Sequence, residues 1–517
     1  MLKRTDSPDH LDPVGRPKAI VIGAGLGGLA AAMRLGAKGY RVTVIDRLDI
    51  VGGRASSITR SGHRFDLGPT IITVPQILED LWAECGRNFH DDVTLTPMDP
   101  FYEIRFEDGS RFTASKSIAA MRKQIAQMAP GDLPGFDKFQ KDAEARYAFG
   151  FEKLGRVPLE TVGALARYLP RFGMLRADRS VYGHVSRLMK DERLRFATSF
   201  HPLFIGGDPF NVTSMYILVS HLETAFGVHY AQGGTGAIAA AMADVIRDQG
   251  GEIWMNSEVD RILTKGKKAT GIALKSGETL DADIVVSNAD AGFTYGTLLR
   301  GSGRRSWPDR RLKHSRWSMG LFVWHFGTKG TRAMWPDVGH HTVMVGPSYQ
   351  GEVKDIFFPG ELTDDMSLYV HRPSASDPSS APEGDDTFYA LACVPHLGSA
   401  DETDWHAHCD AYRQKVLARL EEKLLPGLSQ HLTEEVVFTP EVFRDRYLSP
   451  NGSGFSLEPR ILQSGWFRPH NRSKEFEGLY LVGAGTHPGA GVPSVVLSAE
   501  IACNMIPAAA PMKVAAE

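Results

Sequence analysis

The chain has 517 residues, which allows about three domains of ~150 residues or two large interleaved ones. Apolar residues make up 42% and charged residues 23%, values typical of globular proteins, so disorder is excluded for most of the chain. Lys and Arg total 58 and Asp and Glu total 61, for a net charge of −3. This balance argues against nucleic-acid binding, which needs a basic surface.

Cysteine spacing and the N-terminus give weaker information. None of the four cysteines forms a CxxC pair, which argues against a disulfide scaffold or zinc module and favours a reducing, cytosolic compartment. Residues 1–17 lack the apolar core of a signal peptide and are predicted as a flexible leader. The uncharged stretches 19–33 and 479–499 contain several glycines, so we predict glycine-rich turns there rather than membrane spans.

The first structured segment predicts a parallel sheet. Residues 18–23 form a short apolar run, 26–37 are predicted as a helix, and 41–46 form a second strand. A strand, a helix and a second strand in this order form a βαβ unit.

A glycine pattern lies inside that unit. Gly23 permits a tight turn, Gly25 lets the backbone approach a pyrophosphate, and Gly28 allows close packing of helix and strand. The helix N-terminus then faces the anion, and Asp46 is placed to bind a ribose hydroxyl. An acid at this position would repel the extra phosphate of NADP, so the pattern predicts a site for NAD or FAD.

The residues after Asp46 favour FAD. Gly52 and Gly53 expose backbone amides, and Arg54 adds a charged donor toward phosphate. A simple NAD domain does not need this second motif, whereas FAD binds in an extended form across the chain.

After residue 75 the sequence pattern is first helical and then α/β again. Residues 76–225 show helical periodicity, and an α/β pattern returns over 225–288. Residues 317–326 are predicted as a bulky strand and 374–386 as an exposed loop. We therefore predict a nucleotide-binding domain from 18–75, 226–295 and 456–507, with a second domain from 76–225 and 296–455 inserted.

Longer motifs show a family resemblance. The run VIGAGLGGLAAAMRLGAKGYRVTVIDRLDIVGGR and the following FDLGPT resemble the FAD-dependent amine oxidase superfamily. GAGTHPGAGVP, HPLFIGGDPFNVTSMYIL and YAQGGTGAIAAAM are similar to bacterial phytoene desaturases of the carotenoid desaturase family. The resemblance covers about residues 18–505.

The resemblance implies an α/β fold with an α+β insert: a Rossmann-type FAD-binding domain in several segments, an inserted mixed-sheet substrate domain and a helical membrane-associating part. It implies that FAD is bound by Gly23, Gly25, Gly28, Asp46, Gly53, Arg54, Gly68, Pro69, Thr70, Val259, Gly483, Gly485, Gly491, Val492 and Pro493. Two positions depart from the family pattern: Asp46 stands where Glu is usual, and Ala484 where many relatives have Asp.

The implied reaction is FAD-dependent desaturation of phytoene, a C40 polyene, to neurosporene or lycopene by hydride transfer to flavin. Quinone or oxygen would accept the electrons. One alternative is a desaturase of a later hydroxylated or methoxylated carotenoid. A remote alternative is an isoprenoid-binding escort without catalysis, which would not need the complete set of FAD motifs.

A polyene has no polar group to bind, so we expect an apolar tunnel. Its candidate lining residues are Phe149, Phe151, Phe200, Phe204, Phe210, Met215, Tyr216, Trp317, Phe322, Trp324 and Phe326. No acid or base stands out, and Arg146 and Glu152 are candidates only because they flank an aromatic stretch. His340 and His341 lack the spacing and companions of a metal site, so no metal is predicted.

Residues 161–190 contain six basic residues and one acid, a local charge of +5, with Leu165, Tyr168, Leu169, Phe172 and Met174 among them. A basic segment with apolar side chains can bind anionic lipid. We expect it to border the tunnel mouth and to hold the protein peripherally on the cytoplasmic face of the inner membrane.

Overall fold

A computed structural model describes residues 15–358, 362–364, 366–398 and 404–509, apart from the side chains of 162, 164 and 165. Residues 1–14 of the predicted leader lie outside this part.

The strands are β1 (Lys18–Ile22), β2 (Arg41–Ile45), β3 (Ser57–Arg60), β4 (His63–Asp66), β5 (Leu95–Met98), β6 (Tyr102–Arg105), β7 (Arg111–Ala114), β8 (Val228–Ala231), β9 (Glu252–Trp254), β10 (Val259–Lys265), β11 (Lys268–Leu274), β12 (Thr279–Asp281), β13 (Ile284–Ser287), β14 (Gly320–Thr328), β15 (His341–Met344), β16 (Leu368–His371), β17 (Asp386–Val394), β18 (Leu432–Phe438) and β19 (Leu479–Leu481).

The α-helices are α1 (Leu26–Ala37), α2 (Gln76–Glu84), α3 (Phe89–Asp92), α4 (Ile118–Met128), α5 (Leu133–Tyr147), α6 (Val162–Met174), α7 (Val181–Val185), α8 (Glu192–Ser199), α9 (Leu218–Phe226), α10 (Thr235–Asp248), α11 (Ala291–Phe293), α12 (Asp309–His314), α13 (Tyr349–Phe357), α14 (Trp405–Lys423), α15 (Pro440–Tyr447) and α16 (Val492–Asn504).

A five-stranded parallel sheet forms the first layer, in the order β19-β13-β1-β2-β9. Its strands come from the three segments of the predicted nucleotide-binding domain. Helices α1, α10 and α16 pack together beside it, around a core that includes Leu29, Ile238 and Val496. The other face packs on the three-stranded sheet β10-β11-β12, where Ile20 and Ile22 meet Ile262 and Ile272. Both faces of the parallel sheet are therefore covered, as its apolar strands require.

A seven-stranded mixed sheet forms the second unit, in the order β18-β14-β17-β16-β15-β6-β7. Its pairs are antiparallel except for β15 with β6. Phe322, Trp324 and Phe326 of β14 face helix α14, where they pack with Trp405 and Tyr412. The helices between α4 and α9 surround a separate core below the other end of this sheet.

The chain segment 374–386 differs from the predicted exposed loop. It has little regular structure, but Ser374, Asp377 and Asp386 are buried. The reason is the buried Arg372, whose Nε and Nη2 donate to the Asp386 carboxylate at 3.0 and 2.9 Å. A buried guanidinium needs a counter-charge, so the acidic loop folds inward.

The uncharged stretches 19–33 and 479–499 each form a strand, a glycine-rich turn and the start of a helix. The first contributes β1 and α1, and the second contributes β19 and α16. Within the described residues, none of the helices combines the length and the hydropathy needed to cross a bilayer.

Candidate active site

One cavity of about 840 Å³ connects the parallel sheet to the seven-stranded sheet. Gly23 and Asp46 line one end, Tyr369 and Tyr389 of the mixed sheet line another part, and Leu222 of α9 also lines the cavity. A site this large is in the range of ligand pockets. The cavity therefore offers one continuous volume to a cofactor and a substrate.

The glycine turn forms the floor of the nucleotide end. Gly23 and Gly25 line the cavity, and Gly23 has φ +96°, a backbone angle that favours glycine. Helix α1 begins directly after Gly25, so its free N–H groups point toward the cavity. Gly28 lies behind the turn, where α1 packs onto Gly23.

Asp46 closes the turn at the end of β2. Its Oδ2 accepts from the Ala24 amide at 2.7 Å and its Oδ1 from the Leu48 amide at 2.8 Å. Burial raises the pKa of Asp46, and the two amides partly oppose that shift. Each oxygen has a second lone pair, as a ribose contact requires.

Arg54 and Asp290 supply buried polar atoms at the same end. Both line the cavity, and among the described residues Arg54 Nε and Asp290 Oδ2 have no hydrogen-bond partner. Arg54 also donates to the Ser449 hydroxyl. Burial lowers the pKa of Arg54 and raises that of Asp290. Unpaired buried groups of this kind are costly, so they indicate a polar ligand: a phosphate would fit Arg54, and a ribityl hydroxyl would fit Asp290.

A second helix N-terminus faces the cavity from the C-terminal motif. Gly491, Val492 and Pro493 line the cavity at the start of α16, and Gly483 lines it at the end of β19. Gly485 does not line it; a Cβ there would meet Ala291. Gly485 therefore has a packing role in the structure, whereas the resemblance places it at the cofactor.

At position 484, where many relatives have Asp, a hydrogen bond to the backbone holds the turn in place. Ala484 lines the cavity, and its carbonyl accepts from Arg468 Nη1 at 2.7 Å. Arg468 Nη2 also donates to the Leu457 carbonyl at 2.9 Å. The buried guanidinium thus fixes the turn that a carboxylate would otherwise help to define.

The remaining predicted contacts lie along the cavity wall. Gly53, Gly68, Pro69, Thr70 and Val259 all line it. Val259 lies at the start of β10, close to the Asp46 end, where an adenine would be placed.

Thr70 lies at the junction between the two parts of the cavity. Its hydroxyl is 2.8 Å from Tyr369 Oη and 3.3 Å from Tyr389 Oη. It joins the cofactor part to the mixed sheet.

Asn288 is a residue that the sequence reasoning missed. It lines the cavity, donates Nδ2 to the Gly23 carbonyl at 3.4 Å, and lies against Gly25 and Gly483. It follows β13, a strand predicted from sequence. The parallel order of β13, β1 and β2 was the signal that could have found it, because carboxyl ends of neighbouring parallel strands meet at one edge.

The aromatic candidates for the tunnel divide into two groups. Phe151, Phe200, Phe204, Met215 and Tyr216 line the cavity. The others do not line it and pack elsewhere: Phe149, Phe210, Trp317, Phe322, Trp324 and Phe326. The expectation was wrong for these six. Phe322, Trp324 and Phe326 lie on the face of β14 that packs on α14, whereas Leu321 and Val323 on the opposite face line the cavity.

Apolar side chains at one rim of the cavity are exposed to solvent. Leu169 of α6 is 55% exposed, and Ile461 and Leu462 are 52% and 67% exposed, yet all three line the cavity. Tyr168 and Phe172 of α6 line it from the inside. The mouth of the cavity is therefore apolar and open.

Arg146 and Glu152 do not reach this cavity. Arg146 is buried and donates to the carbonyls of Asp142 and Leu175 at 2.9 and 2.6 Å. Glu152 is exposed and accepts from Tyr147 Oη at 3.1 Å. Neither residue lines the cavity, so neither is placed to act in catalysis.

His340 and His341 have a companion that the sequence reasoning missed. His371 lies opposite His341 across the β15–β16 pair, and one nitrogen from each ring lies within 4.8 Å of the others. Burial lowers the pKa of His340 to about 3, and burial also holds the pKa of His341 and His371 far below the usual range.

The hydrogen bonds of this group favour neutral imidazoles over a metal. His371 Nε2 is 3.0 Å from His340 Nε2, and the Nδ1 atoms of His340 and His341 contact Ser376 Oγ and Tyr369 Oη. Three imidazoles can bind a zinc ion, but an ion here would have to break the contact between His371 Nε2 and His340 Nε2.

Comparison with known proteins agrees with this geometry. The flavin containing amine oxidoreductase family matches residues 26–507. The chain is 65% identical over 494 residues to phytoene desaturase (neurosporene-forming) of Rhodobacter capsulatus, covering 95% of this chain and 94% of the relative. It is 64% identical over 490 residues to the phytoene desaturase of the same description from Cereibacter sphaeroides, covering 95% and 94%.

A solved structure shares the fold. An oxidoreductase from Methanosarcina mazei superimposes with a TM-score of 0.62 at 20% identity, covering 93% of this chain and 98% of that one. The glycine turn, Asp46, Arg54 and the α16 N-terminus fit a dinucleotide flavin, so the cofactor is FAD. The chain belongs to the flavin containing amine oxidoreductase family and, within it, to the phytoene desaturases.

Proposed function

We propose that this enzyme desaturates phytoene in successive steps and forms neurosporene, with FAD as the hydride acceptor. One observation carries the proposal: the nucleotide cradle opens directly into an apolar compartment with an exposed apolar mouth. A substrate without polar groups can be held there only by shape and apolar contact.

The protein's part in this reaction is positioning. FAD supplies the two-electron oxidation. Phe200, Phe204 and Tyr216 hold the polyene in register and exclude water, while Thr70 and its tyrosine partners form the wall between cofactor and substrate.

Two alternatives remain as outcomes of the test. A later hydroxylated or methoxylated carotenoid would fit the same compartment, and the cofactor residues do not separate it from phytoene. An isoprenoid escort would need the apolar compartment but not Arg54 Nε and Asp290 Oδ2 aimed into a polar cradle. Those unpaired groups favour an enzyme.

We also propose that the protein binds the membrane surface through the rim of the cavity. Leu169 and Met174 of α6 are 55% and 72% exposed, and Arg167 and Arg171 on the same helix are exposed too. Apolar side chains beside cations suit an anionic bilayer, where each cation adds ~1 kcal/mol. Leu165, named among the apolar candidates, lies outside the described side chains.

This orientation gives the substrate a direct route from lipid to cavity. It supports a peripheral location on the cytoplasmic face of the inner membrane. A membrane quinone is then a convenient electron acceptor, with oxygen as the alternative.

The test is incubation of the purified protein and FAD with phytoene in liposomes, with and without added quinone, followed by HPLC with visible spectra. Neurosporene is expected as the main product, accompanied by other desaturation products in a mixture that depends on the phytoene-to-enzyme ratio. Conversion of a later carotenoid but not of phytoene would favour the first alternative. Tight phytoene binding with no flavin bound and no product would favour the escort.

A further inference from the structure

The substrate part of the cavity contains an acid that the reaction described above has not used. Glu223 of α9 lines the cavity and is 3% exposed to solvent. Its neighbours on the same wall, Val219, Leu222 and Phe200, are apolar. A carboxyl group is expensive to bury among apolar side chains, so its retention at this wall calls for an explanation.

The hydrogen bonds of Glu223 leave one carboxylate oxygen available. Tyr102 Oη donates to Oε2 at 2.9 Å, and His201 Nε2 lies 3.3 Å from the same oxygen. Oε1 accepts no hydrogen bond from the described residues. Burial raises the pKa of Tyr102 far above its usual range, and the charge of Glu223 adds to the shift. The phenol therefore stays protonated and remains a donor.

The acid lies toward the cofactor end of the substrate compartment. His201, which contacts Glu223, begins the turn His201–Ile205. Ile205 lies against Gly491 at the start of α16, and both line the cavity. The Glu223 carboxylate is thus joined through one short turn to the C-terminal motif at the predicted cofactor site.

We propose that Glu223 is the catalytic base that removes a proton from the polyene. The inference rests on the proposed function and adds a residue to it. One carbon of the substrate loses a hydride with its electron pair, which bound FAD would accept. The C–H bond at the neighbouring carbon breaks, its electron pair becomes the new double bond, and its proton goes to Oε1 of Glu223. The substrate thus loses two hydrogens and two electrons, as one hydride and one proton.

A second buried acid in the compartment is less well placed. Glu352 also lines the cavity, but Ser367 N donates to its Oε1 at 2.6 Å and Ser367 Oγ to its Oε2 at 2.5 Å. Both of its oxygens are occupied by a neighbouring strand, which fits a structural role. Oε1 of Glu223 is the oxygen left for a substrate proton.

The first experiment measures flavin bleaching by phytoene without oxygen, in a single turnover. Glu223→Gln keeps the size of the side chain and removes the base, so the rate should fall by about 10²–10⁴. Glu223→Asp should restore part of it. Glu458→Gln is the control, since Glu458 is equally buried but does not line the cavity. FAD content should stay at the wild-type value in all three variants, and the unfolding midpoint should stay there in the two Glu223 variants.

The second experiment measures binding, independently of turnover. In a tertiary-amine analogue of phytoene, a protonated nitrogen replaces the carbon that loses the hydride and mimics its positive charge. Glu223→Gln should bind this analogue at least about tenfold more weakly than the wild type, because a charged partner is lost. Phytoene itself should bind both proteins equally.

The outcomes separate this proposal from the proposed function. If phytoene bleaches the flavin of Glu223→Gln at the wild-type rate, and this variant binds the amine analogue as tightly as the wild type, then Glu223 is not the catalytic base. A larger loss in Glu352→Gln than in Glu223→Gln would assign the role to Glu352 instead. If the wild type converts a later carotenoid and not phytoene, the proposed function fails, and the same comparison on that carotenoid still decides the role of Glu223.

Discussion

Gly28 packs so closely onto Gly23 that a Cβ at position 28 would overlap the Gly23 carbonyl oxygen. The contact joins the start of helix α1 to the end of strand β1, at the turn that lines the cofactor end of the cavity. The third glycine of the motif thus acts on the cofactor through the position of the backbone.

Gly28→Ala should therefore lose FAD. The added methyl group must push the helix from the strand, which costs about 1–3 kcal/mol in a packed region and moves the amides that face the pyrophosphate. We expect at least a tenfold fall in FAD bound per chain, measured from the visible spectrum after purification. Gly131→Ala is the control, since a Cβ there meets open space. Equal flavin content in both variants would contradict this role.

Arg54→Met should weaken FAD binding without unfolding the protein. A hydrogen bond from a charged group contributes about 1.5–3 kcal/mol, which corresponds to roughly tenfold to hundredfold in Kd. Titration of the apoprotein with FAD, followed by flavin fluorescence, measures the change. Arg60→Met on exposed β3 should bind FAD like the wild type. An unchanged Kd in Arg54→Met would place the phosphates elsewhere in the cavity.

The buried Glu458 predicts a pH dependence of stability. Burial raises the pKa of Glu458 from an ordinary value of 4.5 to about 7, and the nearby Asp208 adds to the shift. Because the folded state binds this proton more tightly, the contribution is complete below the unfolded pKa and is lost as the pH rises through about 7. The contribution is at most about 3 kcal/mol.

Glu458→Gln removes this titration. Urea unfolding at pH 5 and pH 8 should show the variant gaining stability relative to the wild type as the pH rises. Glu278→Gln, at an exposed carboxylate on the β11–β12 turn, should show no such change. A constant difference between Glu458→Gln and wild type at the two pH values would mean that Glu458 is ionised throughout.

The rim of the cavity predicts where lipid binds. Replacing Leu169 and Met174 with Asp should abolish flotation with anionic liposomes, because it places charges where apolar side chains would enter the bilayer. Met334→Asp is the matched control, since Met334 is 43% exposed but does not line the cavity. Equal flotation of both variants would move the membrane contact to another surface.

The number of desaturation steps should depend on substrate supply. Successive intermediates differ by two hydrogens, whereas even a whole methylene changes apolar binding by only ~1–3 kcal/mol. The cavity therefore discriminates weakly, and release of the product competes with the next step. HPLC at several phytoene-to-enzyme ratios should show a changing mixture. One product at every ratio would contradict this expectation.

The cofactor end of the cavity was predictable because its geometry is local. Gly23, Gly25, Asp46 and Arg54 lie within one βαβ unit and the turn after it, where spacing alone determines which side a residue faces. The C-terminal motif was recognised by resemblance, and the structure places Gly491 in the cavity but Gly485 behind it. Short glycine-rich turns define a backbone path, but sequence does not show which glycine touches the ligand.

The substrate end depended on tertiary packing. Phe151 lines the cavity, whereas Phe149, two residues earlier, does not and packs against the rings of Tyr168 and Phe172, although both are aromatic residues of one segment. An apolar residue is suited equally to a core and to a tunnel, so only the position of neighbouring elements distinguishes the two.

The polar groups at the substrate end of the cavity come from distant parts of the chain. His371 meets His341 only because β15 and β16 pair in one register, and Glu223 meets Tyr102 across 121 residues. The sequence by itself determined the cofactor, the parallel sheet and the family, because these depend on contiguous motifs. Only the tertiary structure decided which buried acids and histidines face each other, since hydrogen bonds between distant strands and helices have no periodic signal in the sequence.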